Sequence, residues 1–222
     1  MAVISVLNPK GGSGKTTLTT NLAQALHLRG SKVLIVDSDP QGSARDWHAA
    51  SEANPLPLVS LDRANNIKTL SSMVGSYDHI VLDGAAKLED IIAAAIKVSD
   101  FILIPVQPSP YDIWAASDLV DFIKARQEVT DGSPKASFVI TRHIEGTRLG
   151  DDVRGALDEY GLPVLSTAVT QRQVYPQTAS EGRTVFEGSN TKAHDEINAL
   201  ADEVIGMLAD AGRREAKDGT HG

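Results

Sequence analysis

The distribution of apolar residues along the chain predicts an alternation of strands and helices. Short, nearly continuous apolar runs recur, which is typical of strands buried on both faces of a parallel sheet. The predicted strands cover residues 2–8, 32–37, 57–60, 79–83, 101–106, 136–141 and 163–167. The predicted helices cover residues 15–29, 43–51, 64–74, 88–98, 112–129, 148–160, 174–181 and 191–211. This alternation indicates an α/β fold, a doubly wound, mostly parallel sheet with helices on both faces.

Length and composition are those of one globular domain. The chain has 222 residues, of which 41% are hydrophobic and 23% are charged. We expect a single domain over residues 1–211, followed by a flexible polar tail over residues 212–222. No apolar run approaches the roughly 18 residues that a membrane span requires. We therefore expect a cytoplasmic protein without a membrane partner.

Two bulk properties narrow the chemistry. The absence of cysteine excludes disulfides, thiolate metal sites and cysteine nucleophiles. The net charge of -8 is opposite in sign to that of a dedicated duplex-binding domain, because Lys and Arg supply most non-specific affinity for DNA. Any contact with nucleic acid is therefore expected to be local, salt-sensitive and summed over more than one subunit.

The segment between the first strand and the first helix has the composition of a phosphate-binding loop. Residues 8–17 read NPKGGSGKTT. Glycines let consecutive backbone N–H groups turn toward one anion, and the helix N-terminus adds the positive end of its dipole. Lys15 is placed to reach the β- and γ-phosphates, and the Thr16 hydroxyl to bind Mg²⁺. The expected nucleotide-binding residues here are Lys10, Gly11, Gly12, Ser13, Gly14, Lys15, Thr16 and Thr17.

Aspartates follow the second and fourth predicted strands, at the carboxyl edge where open α/β sheets bind ligands. Asp37 and Asp39 lie in the string DSDPQ, and Asp83 ends an apolar run. Phosphoryl transfer to water needs a group that orients the nucleophile and a metal that gathers oxygen charge. Asp83 is therefore a second candidate Mg²⁺ residue. Alternatively, the first two aspartates cap the following helix, with Ser43 as its N-cap.

The loop departs from the strict pattern G-x-x-x-x-G-K-[ST]. Pro9 stands where the first glycine belongs, and Lys10 adds a second lysine. This variant resembles the deviant Walker A motif of the ParA/MinD superfamily of P-loop ATPases. The resemblance implies that Lys10 reaches across a nucleotide-sandwiched dimer to the phosphates of the partner's ATP, and that Lys10, Lys15 and Asp39 are the catalytic residues.

The same resemblance assigns roles to the acidic segments. The DSDPQ string is similar to the switch I segment of the superfamily, which implies that Asp39 positions or activates the attacking water. Asp37 would then lie in the Mg²⁺ and phosphate network. Residues 84–87 would form switch II, directly after the strand that ends in Asp83.

Two regions in the second half of the chain are similar to the small ParF-like partition ATPases. Residues 105–112 contain three prolines, so they form either a segment near the assembly surface or a plain structural loop. Thr141, Arg142 and Gln171 lie in loops that border the adenine in such proteins, and we expect them to contact the base. Arg172 has three open roles: a base contact, part of a DNA-binding surface, or a solvated surface arginine.

The resemblance implies an ATPase that uses ATP and Mg²⁺ and dimerises on binding them, with larger assemblies left open. The dimer is expected to associate non-specifically with double-stranded DNA of the nucleoid and to drive plasmid or chromosome partition with a small ParB- or ParG-like centromere-binding protein. An alternative is the positioning of another cargo, such as a chemoreceptor, secretion or conjugation complex. A third is a small-molecule kinase or an amide ligase of related fold.

Overall fold

The computed structural model describes residues 1–73, 75–86, 88–144 and 149–218, with the side chains of residues 71, 149–152 and 211–218 left out. Lys87, in the predicted switch II, therefore lies outside the described residues. The same applies to residues 74 and 148, at the ends of two predicted helices. In the described part of the chain, no helix is both long and apolar enough to cross a bilayer.

Within the described residues, seven strands form one sheet in which every pair of neighbours is parallel. The strands are β1 (Ala2–Val6), β2 (Val33–Asp37), β3 (Leu58–Ser60), β4 (His79–Asp83), β5 (Phe101–Val106), β6 (Lys135–His143) and β7 (Val164–Thr170). Their order is β3-β2-β4-β1-β5-β6-β7. The chain runs from β1 toward the β3 edge, returns to place β4 between β2 and β1, and then continues through β5 to the β7 edge. This confirms the predicted fold class, and it places the switch between the two directions at the loop that follows β1.

Helices cover both faces of the sheet. They are α1 (Lys15–Leu28), α2 (Ser43–Ala49), α3 (Ala64–Ile67), α4 (Glu89–Val98), α5 (Pro110–Ala115), α6 (Ser117–Glu128), α7 (Leu149–Asp158), α8 (Val174–Ala179) and α9 (Thr191–Asp218). Short 3-10 turns occupy Lys68–Met73 and Val185–Glu187. Side chains of each central strand alternate between two apolar clusters: in β4, Ile80 and Leu82 pack in one and Val81 packs in the other.

Three predicted helices differ from the structure by more than two end residues. The one predicted over residues 64–74 is α-helical only over Ala64–Ile67 and continues as a 3-10 turn over Lys68–Met73. The helix expected over residues 112–129 is divided into α5 and α6, because the Ala116 N–H bonds the carbonyl of Ile113, three residues earlier, at 3.1 Å. The last helix continues through Asp218, so residues 212–218 of the tail predicted over residues 212–222 are helical, and residues 219–222 lie outside the described residues. Ala, Arg, Glu and Lys predominate over residues 212–218, and these residues favour helix.

The edge strand β7 is covered by carboxylates of α9. Glu203 accepts hydrogen bonds from the backbone N–H groups of Ser166 and Thr167, both at 2.7 Å, and Glu196 accepts one from Thr170 at 3.2 Å. The two glutamates are seven residues apart and therefore lie on one face of the helix. These two acidic side chains of α9 therefore bind the backbone of the sheet edge.

Candidate nucleotide site

The carboxyl edge of the sheet carries two clefts that meet at the loop after β1. One, of about 770 Å³, is lined by residues that include Gly12, Lys15, Thr16 and Asp39. The other, of about 630 Å³, lies beside the ends of β6 and β7. Gly14 lines both clefts. The predicted phosphate and base regions therefore form two parts of one extended groove.

The loop after β1 directs its backbone N–H groups away from the protein's own acceptors. Gly12 and Gly14 have φ angles of 77° and 98°, in the left-handed region that favours glycine. The carbonyl of Gly12 accepts from the Gln107 amide at 2.6 Å, and that of Ser13 from the Thr141 hydroxyl at 2.9 Å. In the described part of the chain, the N–H groups of residues 11–17 donate to no protein acceptor. They are therefore available to bind a phosphate chain.

Lys15 lies inside this loop. Its side chain extends back so that Nζ donates to the carbonyl of Lys10 at 3.1 Å, and the residue is only 7% exposed. Burial lowers the pKa of the Lys15 ammonium, while the nearby carboxylates of Asp83 and Asp39 oppose that shift. A desolvated cation beside unpaired N–H groups forms a strong site for a polyanion.

Asp83 and Thr16 form the second part of the phosphate region. The Thr16 hydroxyl donates to Asp83 at 2.7 Å, and Asp83 is 1% exposed. Burial raises the pKa of Asp83 to about 7; the hydrogen bond from Thr16 and the charge of Lys15 lower it, whereas Asp37 and Asp39 raise it. A cation bound here would offset this unfavourable burial of charge.

The residues fit Mg²⁺ as the partner of a bound nucleotide. Mg²⁺ is commonly bound by one or two carboxylates together with phosphate oxygens, and the Thr16 hydroxyl and the Asp83 carboxylate supply such a partial set. Among the described residues, no group of three or more His, Cys, Asp or Glu side chains forms a protein-only metal site. The metal would therefore depend on phosphate oxygens for the remainder of its coordination.

Asp37 and Asp39 have different environments. The Asp37 carboxylate accepts from the backbone N–H groups of Asp39 at 3.1 Å and Arg45 at 2.9 Å. Burial raises the pKa of Asp37 against the effect of these two bonds. Asp37 thus organises the loop and caps α2, which begins at Ser43 after Gly42, so the predicted Ser43 cap is wrong. Asp39 is only half-buried and lines the phosphate cleft.

Lys10 is held by a residue that the sequence did not single out. Its Nζ lies 2.5 Å from the carboxylate of Asp112, on α5. Asn8 Nδ2 likewise donates to the carbonyl of Pro105 at 2.6 Å. The proline-rich segment is therefore bound to the phosphate loop. The sequence did not predict the contacts that the Asp and Gln residues of this segment make with the loop. An aspartate in the first turn of a helix is common, so it does not by itself indicate a contact with a lysine.

Thr141, Arg142 and Gln171 all line the cleft beside the ends of β6 and β7. Their contact with the base stays a prediction. Arg142 has a φ of 50°, unusual for a residue with a side chain, and it lines both clefts. It is therefore positioned to contact either the base or the phosphates. The Gln171 N–H bonds the carbonyl of His143 at 2.9 Å, which fixes the loop after β7 to the end of β6.

Arg172 also lines the base cleft, but its guanidinium has a protein partner. Its Nη2 lies 2.6 Å from Glu196, and both side chains are only 16% exposed. Burial raises the pKa of Glu196, yet hydrogen bonds from Arg172 and Thr170 outweigh it and leave the pKa lowered. This ion pair excludes a solvated surface arginine. The predicted contacts with the base or with DNA remain predictions.

Known proteins resemble this chain in sequence and in fold. A protein named maintenance of carboxysome distribution protein A, from Halothiobacillus neapolitanus, is 34% identical over 208 residues, covering 91% of this chain and 95% of that protein. The ATP complex of a McdA variant from Cyanothece has a TM-score of 0.76 at 16% identity, covering 93% of this chain and 96% of that one.

Another solved structure shares the fold. The septum site-determining protein MinD from Pyrococcus horikoshii, in complex with Mg-ADP, has a TM-score of 0.71 at 20% identity, covering 91% of this chain and 95% of that one. Residues 4–185 also match the profile of the CobQ/CobB/MinD/ParA nucleotide binding domain. The predicted superfamily is thereby confirmed, and the chain belongs to the CobQ/CobB/MinD/ParA family of nucleotide-binding proteins.

Proposed function

We propose that this protein is a ParA-type ATPase that binds ATP with Mg²⁺, dimerises around the nucleotide, and uses hydrolysis to position a large cellular cargo. The observation that carries the proposal is the loop of residues 8–17. It presents free backbone N–H groups, a buried lysine directed inward, and a second lysine that is 37% exposed at its rim.

The phosphate region supports ATP hydrolysis. The triphosphate lies along the N–H groups of the loop, with the Lys15 ammonium beside the β- and γ-phosphates. Thr16 and Asp83 would hold Mg²⁺, which draws charge from the phosphate oxygens. Asp39 lines the same cleft and accepts a hydrogen bond from the Gln41 N–H at 3.0 Å, which restrains its carboxylate. From there it orients the attacking water.

In the dimer, a lysine of the second copy adds positive charge to each phosphate site. Lys10 is at the rim of the loop, so it can reach the nucleotide of a second copy, where it stabilises the charge that develops on the phosphates. Two subunits also bring together twice the number of surface cations. We propose that the dimer binds double-stranded DNA non-specifically, although the monomer carries a net charge of -8.

The cargo that the comparisons favour is a carboxysome or a comparable protein body. The relative from Halothiobacillus neapolitanus is named for carboxysome distribution, and the alignment with it covers 91% of this chain. A partner protein on the cargo would stimulate hydrolysis and thereby release the ATPase from DNA.

A second candidate function is partition of a plasmid or chromosome with a small ParB- or ParG-like protein. The proline-rich segment at residues 105–112 and the sequence TQRQVY at residues 170–175 favour it, because both are similar to ParF-like proteins. The two candidates share their chemistry and differ in the adaptor that is recognised.

Three single substitutions test the shared chemistry. Lys15→Ala should abolish ATP binding by calorimetry, because the buried cation of the phosphate site is lost. Lys10→Ala should retain ATP binding but form no dimers by light scattering. Asp39→Ala should bind ATP and dimerise, while phosphate release falls by about 100-fold or more. Hydrolysis by Asp39→Ala at the wild-type rate would remove Asp39 from the mechanism.

DNA association and cargo need separate experiments. Retention of the ATP-bound protein on unrelated duplexes should fall steeply as salt rises, whereas the ADP-bound protein should not be retained. Deletion of the gene, followed by imaging of both a shell protein and plasmid foci, separates the two candidates. Clustered carboxysomes with evenly inherited plasmids would support the first candidate, and the reverse pattern would support partition. Hydrolysis of ATP in the absence of any phosphoryl acceptor other than water would argue against a kinase.

A further inference from the structure

The proline-rich segment of residues 105–112 is bound to the phosphate loop at three points. Asn8 donates to the carbonyl of Pro105, Gln107 donates to the carbonyl of Gly12, and Lys10 contacts Asp112. The first two bonds are between neutral groups at 2.6 Å and hold backbone carbonyls. Only the third joins two charged side chains, and it is the contact that fixes where the ammonium of Lys10 lies.

Asp112 has few hydrogen-bond partners other than Lys10. Its side chain is 3% exposed, one oxygen accepts from Lys10, and the buried Oδ1 has no hydrogen-bond partner among the described residues. If Lys10 leaves, a buried carboxylate remains with no donor, which is unfavourable. The Lys10 side chain, by contrast, is 37% exposed and can reach solvent or another molecule.

We propose that Asp112 holds Lys10 within the free subunit and thereby sets the ATP concentration at which two copies associate. This inference rests on the proposed function, in which Lys10 serves the nucleotide of a second copy. The carboxylate of Asp112 and the phosphates of the partner's ATP then compete for one ammonium. A nucleotide with fewer phosphate charges competes less well, so the contact also suppresses association with ADP.

The main experiment compares wild type with Asp112→Asn. The amide keeps the shape of the side chain but removes its charge, so Lys10 is released more readily. We expect the ATP concentration for half-maximal dimer, measured by light scattering, to fall by about tenfold, with some dimer appearing in ADP. An unchanged or increased ATP concentration would overturn the proposal.

Asp118→Asn is the matched control. Asp118 lies in the first turn of the neighbouring helix α6 and is exposed, so the same chemical change should leave the half-maximal ATP concentration as in wild type. Failure of the wild type to dimerise with ATP would refute the proposed function itself. Normal wild-type dimerisation without a shift in Asp112→Asn would refute only the role of Asp112.

A second measurement uses wild type, so it does not depend on the folding of a variant. Reductive methylation of the nucleotide-free protein, read by mass spectrometry, reports the accessibility of each lysine. Lys10 should react several-fold more slowly than Lys97, an exposed lysine of α4, because its Nζ is engaged by Asp112. Equal rates would contradict the contact.

Discussion

Asp83, at the end of β4, and Glu196, on α9, are acidic side chains near the same edge of the sheet, but their partners differ. Asp83 is 1% exposed and accepts one close side-chain hydrogen bond, from Thr16 at 2.7 Å. Glu196 accepts from Arg172, at 2.6 Å, and from both the backbone and the hydroxyl of Thr170. Burial raises the pKa of Asp83 to about 7, whereas hydrogen bonds that outweigh burial leave the pKa of Glu196 lowered.

The comparison distinguishes a buried carboxylate with few hydrogen-bond donors, which a bound cation would stabilise, from a carboxylate that has several donors within the protein. A buried carboxylate with few donors is destabilising until a cation arrives, so the phosphate half of the groove gains stability when it is loaded. A carboxylate with several donors stabilises the folded chain by itself. The cleft beside β6 and β7 therefore needs no ligand to offset the charge of Glu196.

Asp83→Asn should produce the largest change, in opposite directions with and without ligand. Above pH 7 the nucleotide-free variant should be more stable than wild type by about 2–4 kcal/mol, because a buried charge is removed. Because the folded-state pKa of Asp83 is raised, its protonated form contributes stability to the wild type that is fully present below pH 3.8, the ordinary pKa. This contribution is lost as the pH rises through about 7. Urea unfolding at pH 5 and pH 8 measures the difference.

The same variant should lose its dependence on Mg²⁺. ATP affinity with Mg²⁺ should fall to the level found with EDTA, since the amide is a weaker ligand than the carboxylate. Greater stability without ligand at pH 8, combined with normal binding of Mg-ATP, would mean that Asp83 is buried for a structural reason only.

Glu196→Gln should change the stability of the protein in the opposite direction from Asp83→Asn, and by a smaller amount. We expect the variant to be less stable by about 2 kcal/mol at pH 7, because the charged bond to Arg172 is lost within a partly buried network. Since the pKa is lowered, this contribution is present above the ordinary value of 4.5 and disappears as pH falls through the native value. Thermal unfolding at pH 7 and pH 3 would detect it; equal losses at both pH values would contradict the assignment.

Glu203→Gln should lower the free energy of unfolding by about 1 kcal/mol at neutral pH. The side chain bonds two backbone N–H groups of β7 at 2.7 Å, but one of its donors, the Ser166 N–H, is in an exposed setting where water competes. Hydrogen exchange should accelerate at Ser166 and Thr167 in particular. A change of equal size throughout β7 would indicate a general loss of stability instead.

Asp202→Asn, one residue away on α9, should have almost no effect, within about 0.5 kcal/mol. Asp202 pairs with Arg29 at 2.8 Å, but its side chain is 72% exposed and the interaction is screened by solvent. It is the matched control for Glu203→Gln, because both changes remove one carboxylate charge from the same turn of helix. Equal unfolding midpoints for the two variants would contradict the special role of the sheet edge.

The sequence predicted the parts of the molecule that depend on local pattern. All seven strands were expected from apolar runs, and Lys15, Thr16 and Asp83 meet because each is tied to the carboxyl end of a parallel strand. Topology alone fixes that edge, so spacing along the chain was sufficient.

The contacts that escaped prediction join distant segments. Lys10 and Asp112 are 102 residues apart, and Thr170 and Glu196 are 26 apart on different elements. Nothing in the residues around Asp112 distinguishes a carboxylate that holds a lysine from one that favours a helix N-terminus. Similarly, the acidic positions of α9 match a solvated face until the position of β7 is known. Such pairs depend on packing between elements, which periodicity does not encode.

The glutamates of α9 also limit how these molecules can join. Both borders of the sheet are poor templates for an added strand: β3 contributes only three residues, and backbone donors of β7 are occupied by Glu196 and Glu203. Growth by continuous β-pairing between molecules is therefore disfavoured. A filament or array of this protein would therefore form through loops and helix surfaces.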